Sequence, residues 1–312
     1  MINVEIRLYL NMIKPYLVIA LFALLYLNCD AQQRKIIDVH FHTRSAGDYG
    51  TPPPPNPVTG KTPDAGTNDA IFRGNFALLK KYNIVKAICS GTLLRNADFI
   101  SKDPGRFISS LEYPDHQDNP LPDTATFRKL IQEKKFTVFG ELGLQYDGKT
   151  LDQPEFEPYI AICERYGVPI AIHMGLGPPE TPYHGFPNFT VSSGSPFYLE
   201  PVLKKHPRLK LQIMHMGYPY IEETKAILYM YPQVYADISV IDWALPKEEF
   251  YQYLRAVITA GHEKQIMYGS DQMIWEDAIP LSIKTVEAAP FLNEQQKQDI
   301  FYNNAARFYG IK

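Results

Sequence analysis

Eight times along this chain a short apolar run rich in β-branched and aromatic residues gives way to a longer polar-apolar segment or a shaped loop. The runs are Lys35–His40, Ile84–Ser90, Arg106–Glu112, Thr137–Leu142, Pro169–Met174, Lys210–Met216, Val234–Val240 and Gln265–Ser270. Amphipathic stretches at Asn68–Tyr82, Thr124–Lys134, Glu155–Tyr166 and Lys247–Thr259 carry the 3.6-residue spacing of helices. Pro154 and Pro246 stand near the starts of the last two. Strands interleaved with helices make βαβ units and a parallel sheet. Eight such units predict a (β/α)8 TIM barrel, whose usual size is about 250 residues. A doubly wound open sheet is the rival arrangement. No break in composition marks a second domain, so residues 32–312 read as a single domain, with Asn293–Tyr309 as a C-terminal helix packed outside.

Composition supports a packed enzyme-sized domain. With 45% apolar and 21% charged residues, the chain can bury a substantial core. Its 31 basic against 34 acidic residues leave a net charge of −3, without the basic surplus of a nucleic-acid binder. Three cysteines and no Cys-x-x-Cys pair rule out a disulfide framework and a cysteine-ligated structural zinc. Cys89 and Cys163 fall in segments expected to be buried.

The first 31 residues have a different character. Tyr16–Leu27 is an apolar run, shorter than the roughly 20 residues that span a bilayer, preceded by Lys14 and followed by Asn28-Cys29-Asp30-Ala31. A charged start, an apolar middle and a small-residue end make a signal peptide, 1–31, cleaved after Ala31. Met12 is a second possible start. Lipidation at Cys29 and an uncleaved anchor are the alternatives, Asn28 standing where a lipidation signal usually has a small residue. Export to the periplasm or outside the cell is expected, with membrane contact only through this leader or a lipid anchor.

The chemistry gathers at strand ends. His40 and His42 close the first run, and side chains at i and i+2 share a face, so both imidazoles can reach one ion. Glu141 lies near the end of the fourth run, His173 ends the fifth, His215 the sixth and Asp271 the eighth. Each precedes a glycine or a turn, at the barrel face where active sites are built. Any one buried histidine can serve a core hydrogen bond; so many at equivalent places point to an ion. Imidazole and carboxylate suit a divalent metal, zinc best, as one ion or two.

These residues carry a resemblance. Ile37-Asp38-Val39-His40-Phe41-His42, the two His-Met-Gly strand ends, Gly269-Ser270-Asp271 and the closing Asn303-Asn304-Ala305-Ala306-Arg307-Phe308-Tyr309 resemble the amidohydrolase superfamily, amidohydrolase 2 branch, from about Lys35 to Lys312. The resemblance implies that His40, His42 and His173 bind metal, and that His215 binds a second ion or polarises substrate. It gives Asp271 both metal binding and proton transfer, so that Asp271 and His215 are the catalytic candidates. Phe139-Gly140-Glu141-Leu142-Gly143-Leu144 also resembles the fourth-strand signature of TatD-like hydrolases, whose glutamate bridges two metals; a structural glutamate paired with a nearby cation is the alternative. The opening Asp38–Thr43 is similar to PHP phosphoesterases, but Asp271-Gln272-Met273 lacks the closing histidine that family needs.

Two loops are long enough to cover the mouth. Thr43–Thr67, with Pro52 to Pro55, is a lid or a solvated surface loop; Gly175–Gly194 holds Tyr183, His184 and Phe186. Arg44, His184 and Trp243 are the candidate substrate contacts, with Tyr113, His116 and Trp275 behind them. Arg44, two residues past His42, can clamp a carboxylate or phosphate. The expectation is a secreted metal-dependent hydrolase of a small molecule carrying an amide, ester, lactone or phosphoester. The alternatives are a non-oxidative decarboxylase of an aromatic or muconate-type acid, and a metal-carrying binding protein. The only partner expected is the small-molecule substrate, apart from a possible homo-oligomer.

Overall fold

The computed structural model describes residues 34–114 and 119–312. The leader 1–31 with Cys29, and His116, lie outside the described residues. Eight parallel strands run in chain order: β1 (Ile36–His42), β2 (Ile84–Ser90), β3 (Phe107–Tyr113), β4 (Val138–Leu142), β5 (Ile170–Ile172), β6 (Leu211–Ile213), β7 (Val234–Asp237) and β8 (Ile266–Met267). Backbone hydrogen bonds from Val39 N to Tyr268 O (3.0 Å) and from Asp271 N to His40 O (2.8 Å) bring the last strand back to the first. The barrel expectation holds, and the open sheet does not.

Helices flank the strands where the sequence places starts and stops. Thr67 caps Asn68–Lys81 through the Ala70 N–H, and Asp123 caps Thr124–Gln132 through Ala125 and Thr126. Gly167 ends Glu157–Tyr166 in the left-handed conformation. The expected C-terminal helix is present but broken: Glu294–Gln298 and Asn304–Tyr309 flank a π turn at Asp299–Asn303.

The core has two layers. Ile37, Val39, Ile88, Val138, Ala171 and Met267 meet inside the barrel, and Ala305 and Phe308 of the last helix pack against them as a floor. Ile36, Phe41, Phe99, Phe139 and their neighbours fill the space between sheet and helices. Strand β1 changes phase on the way up. Three residue steps from Asp38 to Phe41 face two steps from Ala87 to Cys89 on β2, so one extra residue is bulged out. Val39 thereby stays in the interior layer while His40 and His42 both reach the mouth. The end opposite the helical floor is where the polar residues collect.

Candidate metal centre

From β1, His40 Nε2 and His42 Nε2 lie 3.1 Å apart. Glu141 enters from β4 between them and the rings of the next strands. Its Oε2 is 3.2 Å from His40 Nε2 and 3.4 Å from His42 Nε2, while its Oε1 is 2.8 Å from His173 Nδ1 and 3.7 Å from His215 Nε2. His173 Nδ1 and His215 Nε2 are themselves 3.0 Å apart. One carboxylate is shared between two histidine pairs. Asp271 completes the ring, its Oδ1 2.9 Å from His42 Nε2 and 3.7 Å from His40 Nε2, its Oδ2 4.0 Å from His215 Nδ1. Three overlapping triads emerge, each with ligand atoms within 4.8 Å of one another: His40, His215, Asp271; His40, His42, Glu141; and Glu141, His173, His215.

The backbone is bent to bring these groups together. His215 (φ 56°) and Asp271 (φ 45°) adopt left-handed conformations that non-glycine residues rarely take, at a cost of order 1–3 kcal/mol each. Two glycines make room. A Cβ on Gly140 would meet Ala171 O at 2.3 Å, so β4 can lie against β5 only without a side chain there. A Cβ on Gly269 would fall 2.8 Å from His40 Cβ.

The donor set fits a divalent cation better than it fits itself. Imidazole nitrogens 3.0–3.1 Å apart cannot both donate to each other. Asp271 Oδ1 lies buried 2.9 Å from His42 Nε2, so a second carboxylate is pressed against the same rings. A cation among these atoms would engage all of them at once.

Charge balance agrees. Burial works against a charge on His40, but the carboxylates of Asp271 and Glu141 outweigh it and carry its pKa to about 10. Burial and the Arg44 charge push His42 down to about 4, and burial with the neighbouring His215 lowers His173. His215 is raised against its burial, by Glu141 and Asp271. Glu141 and Asp271 stay ionised against burial, chiefly through the charge on His40. Positive charge on the ring cluster thus stands where an ion would balance the same carboxylates.

The other sequence candidates fall differently. Arg44 is buried, its Nη1 2.8 and 2.9 Å from the two oxygens of Glu112, whose Oε1 is 3.8 Å from His42 Nδ1. Trp243 is buried and donates its indole N–H to Ser270 O at 2.8 Å, beside Asp271. His184 is not brought to the cluster; it is exposed and pairs with Glu180 at 3.1 Å. The Thr43–Thr67 loop is tied down rather than free. Trp275 donates to Pro54 O and Asn56 to Asp277, each at 2.9 Å. Tyr146 was not singled out from the sequence, yet its ring lies 5.1 Å from that of His173 and 5.0 Å from Phe186 of the Gly175–Gly194 loop.

The model of the Amidohydrolase family (Amidohydro_2) matches residues 37–311. The chain belongs to the amidohydrolase family. Among solved structures, the chain is similar to a probable 2-pyrone-4,6-dicarboxylic acid hydrolase from Acinetobacter baumannii, at 15% identity and TM-score 0.61, covering 89% of this chain and 100% of that one. It is also similar to a 5-carboxyvanillate decarboxylase from Novosphingobium aromaticivorans complexed with manganese, at 16% identity and TM-score 0.57, covering 89% and 96%. At such identities the likeness is one of fold. Protein fluG of Emericella nidulans is 21% identical over 158 residues, 46% of this chain but 17% of that protein. This amidohydrolase therefore matches less than a fifth of the length of that curated relative.

Proposed function

We propose that this amidohydrolase is a hydrolase of a small molecule, using two divalent ions, zinc best suited, held by His40, His42, Glu141, His173, His215 and Asp271. The split of Glu141 between two histidine pairs supports a bridging role of the TatD type. Ions held by these residues would supply Lewis acidity, lowering the pKa of a bound water toward ~7. The chain's own residues do the rest. Asp271 would accept a proton from the attacking water and pass it to the leaving group. His215 stands beside it, its Nδ1 4.0 Å from Asp271 Oδ2. The ion-paired Arg44, backed by Glu112, holds an anionic group of the substrate. The observation that carries hydrolysis is Asp271: a buried carboxylate, held ionised among His40, His42 and His215, is placed to take up a proton beside the cluster.

A decarboxylase is the second reading, favoured by the manganese-bound decarboxylase among the fold neighbours. There a proton must be delivered to carbon, a task for an acid rather than an ionised Asp271. An ester and lactone panel set beside a hydroxybenzoate panel separates the two, since only the second releases CO2. Elemental analysis of the purified protein with its Glu141→Gln variant tests the ion pair. Two ions in the parent and one in the variant are expected; equal content in both overturns the bridge. Residues 14–31 support export in the same proposal. N-terminal sequencing of periplasmic or surface material should begin at Gln32 or be blocked at a lipidated Cys29. Full-length protein confined to the cytoplasm overturns it.

A further inference from the structure

Behind the rings of His40 and His215, on the side away from Glu141, stands one hydroxyl. Ser239, just past β7, is completely buried, with its Oγ 2.8 Å from His40 Nδ1, 3.1 Å from His215 Nδ1 and 2.5 Å from Asp237 Oδ1. A hydroxyl has a single proton to give and two lone pairs to receive. Where that proton goes is fixed by Asp237. Its Oδ1 already accepts the backbone N–H groups of Ser239 (3.0 Å) and His215 (3.1 Å), and its Oδ2 accepts the amide of Gln212. The shortest contact of the hydroxyl is to this acceptor, so Ser239 donates to Asp237 and can only accept from the rings. His40 Nδ1 must therefore carry the hydrogen. The same holds for His215 by a second route, because its Nδ1 lies 3.0 Å from the carbonyl oxygen of Ser239, which cannot donate.

We propose that Ser239 is a positioning residue that sets the tautomers of His40 and His215 together, as Nδ1–H rings, so that both Nε2 lone pairs face Glu141. The inference rests on the ligand reading proposed above. One residue thereby orients ligands from two strands that are not neighbours, β1 and β6. The backbone is shaped for it. The next residue, Val240, has φ 58° and ψ −46°, a region that β-branched side chains avoid, and the turn leaves both Ser239 oxygens within 3.1 Å of one ring nitrogen. The array is anchored from the barrel floor, where the Tyr309 hydroxyl donates to Gln212 Oε1 and the Gln212 amide to Asp237. Every donor in that chain points toward Asp237, so no member can reverse without stranding another.

The test is Ser239→Ala in the full chain, loaded with zinc, read by competition against a chelator and by ¹⁵N NMR of the histidine rings. Partners of this kind are typically worth about 10–100-fold in metal affinity, and zinc retention should fall in that range. The ring protons should respond unequally. The Nδ1–H of His40 loses its acceptor and exchanges rapidly with solvent, whereas that of His215 keeps the Ser239 carbonyl and stays protected. A residue that merely fills space would not separate the two. If Ser239→Ala does not fold, Ser239→Cys, close in size but a weak acceptor, carries the same expectation. Zinc held as tightly as in the parent, or two ring protons affected alike, overturns the inference. A parent protein that takes up no zinc overturns the ligand reading and this inference with it.

Discussion

Replacing Asp38 with Asn should make the metal-free protein more resistant to unfolding at neutral pH, an unusual outcome for a fully buried position beside a functional site. Asp38 Oδ1 accepts the backbone N–H groups of His40 (3.1 Å) and Ser270 (2.9 Å), stitching β1 to the segment that carries Asp271. The whole carboxyl is sealed from solvent, with the side chain of Ser270 beside it. Burial accordingly raises the Asp38 pKa from 3.8 to about 7, against the hydrogen bonds that favour its charged form. The unfolded chain gives up this proton near pH 4 and the folded one near pH 7. Stability therefore falls as pH rises between those values and is level above them. At about 1.36 kcal/mol per pKa unit, the full loss is on the order of 4 kcal/mol, of which roughly half, about 2 kcal/mol, falls between pH 5 and pH 7. Asn keeps the Oδ1 acceptor, carries no charge and can turn its amide toward Ser270 Oγ. Urea unfolding of both proteins, stripped of metal, should show the variant gaining on the parent by that amount from pH 5 to pH 7, then running parallel. Two curves that stay parallel throughout, or a variant that loses ground as pH rises, would refute the reasoning.

Three further expectations concern the site itself. Asp271→Asn retains one ligating oxygen but no base, so turnover on a confirmed substrate should drop about 10²–10⁴-fold while metal content stays largely intact; near-normal turnover would move the base elsewhere, His215 being nearest. Replacing His40, His42 or His173 with Ala should lower bound metal and activity together while leaving the far-ultraviolet circular dichroism unchanged, since these residues lie above the interior core. Gly269→Ala puts a methyl 2.8 Å from His40 Cβ and 3.1 Å from Ser239 Cβ. Overpacking of this kind costs about 1–3 kcal/mol, and chelator competition should show weaker metal retention at a modestly lower melting temperature.

Much of this was legible before any coordinates. The periodic runs specify the barrel because a parallel strand buried on both faces must be apolar along its length. The polar residue that interrupts each run then marks the functional end, which is how Glu141, His173, His215 and Asp271 are read. What escaped reading is what depends on pairing rather than pattern. The extra residue in β1 leaves no mark in Ile36–His42, because a bulge is defined against β2. Asp237-Ile238-Ser239 ends the seventh run just as the ligands end theirs, and the same rule flags it; a common aspartate and serine simply carry less weight than histidines. Glu112 and Tyr146 reach the site from positions whose neighbours show no chemical motif. His184 illustrates the converse: a histidine in a suggestive loop that the chain leaves in solvent.

The seam between the first and last strands has a kinetic meaning. Ser270 N reaches Asp38 across 232 positions of the chain, and Gln272 clamps both the N–H and the carbonyl of His42 across 230. Contacts so distant are formed late, since each must first close a loop containing nearly the whole domain. Two of the six candidate ligands are thus presented early by β1 and wait for the other edge of the sheet to arrive. An ion that joins only after this closure acts on the lifetime of the finished barrel and hardly at all on how fast it assembles.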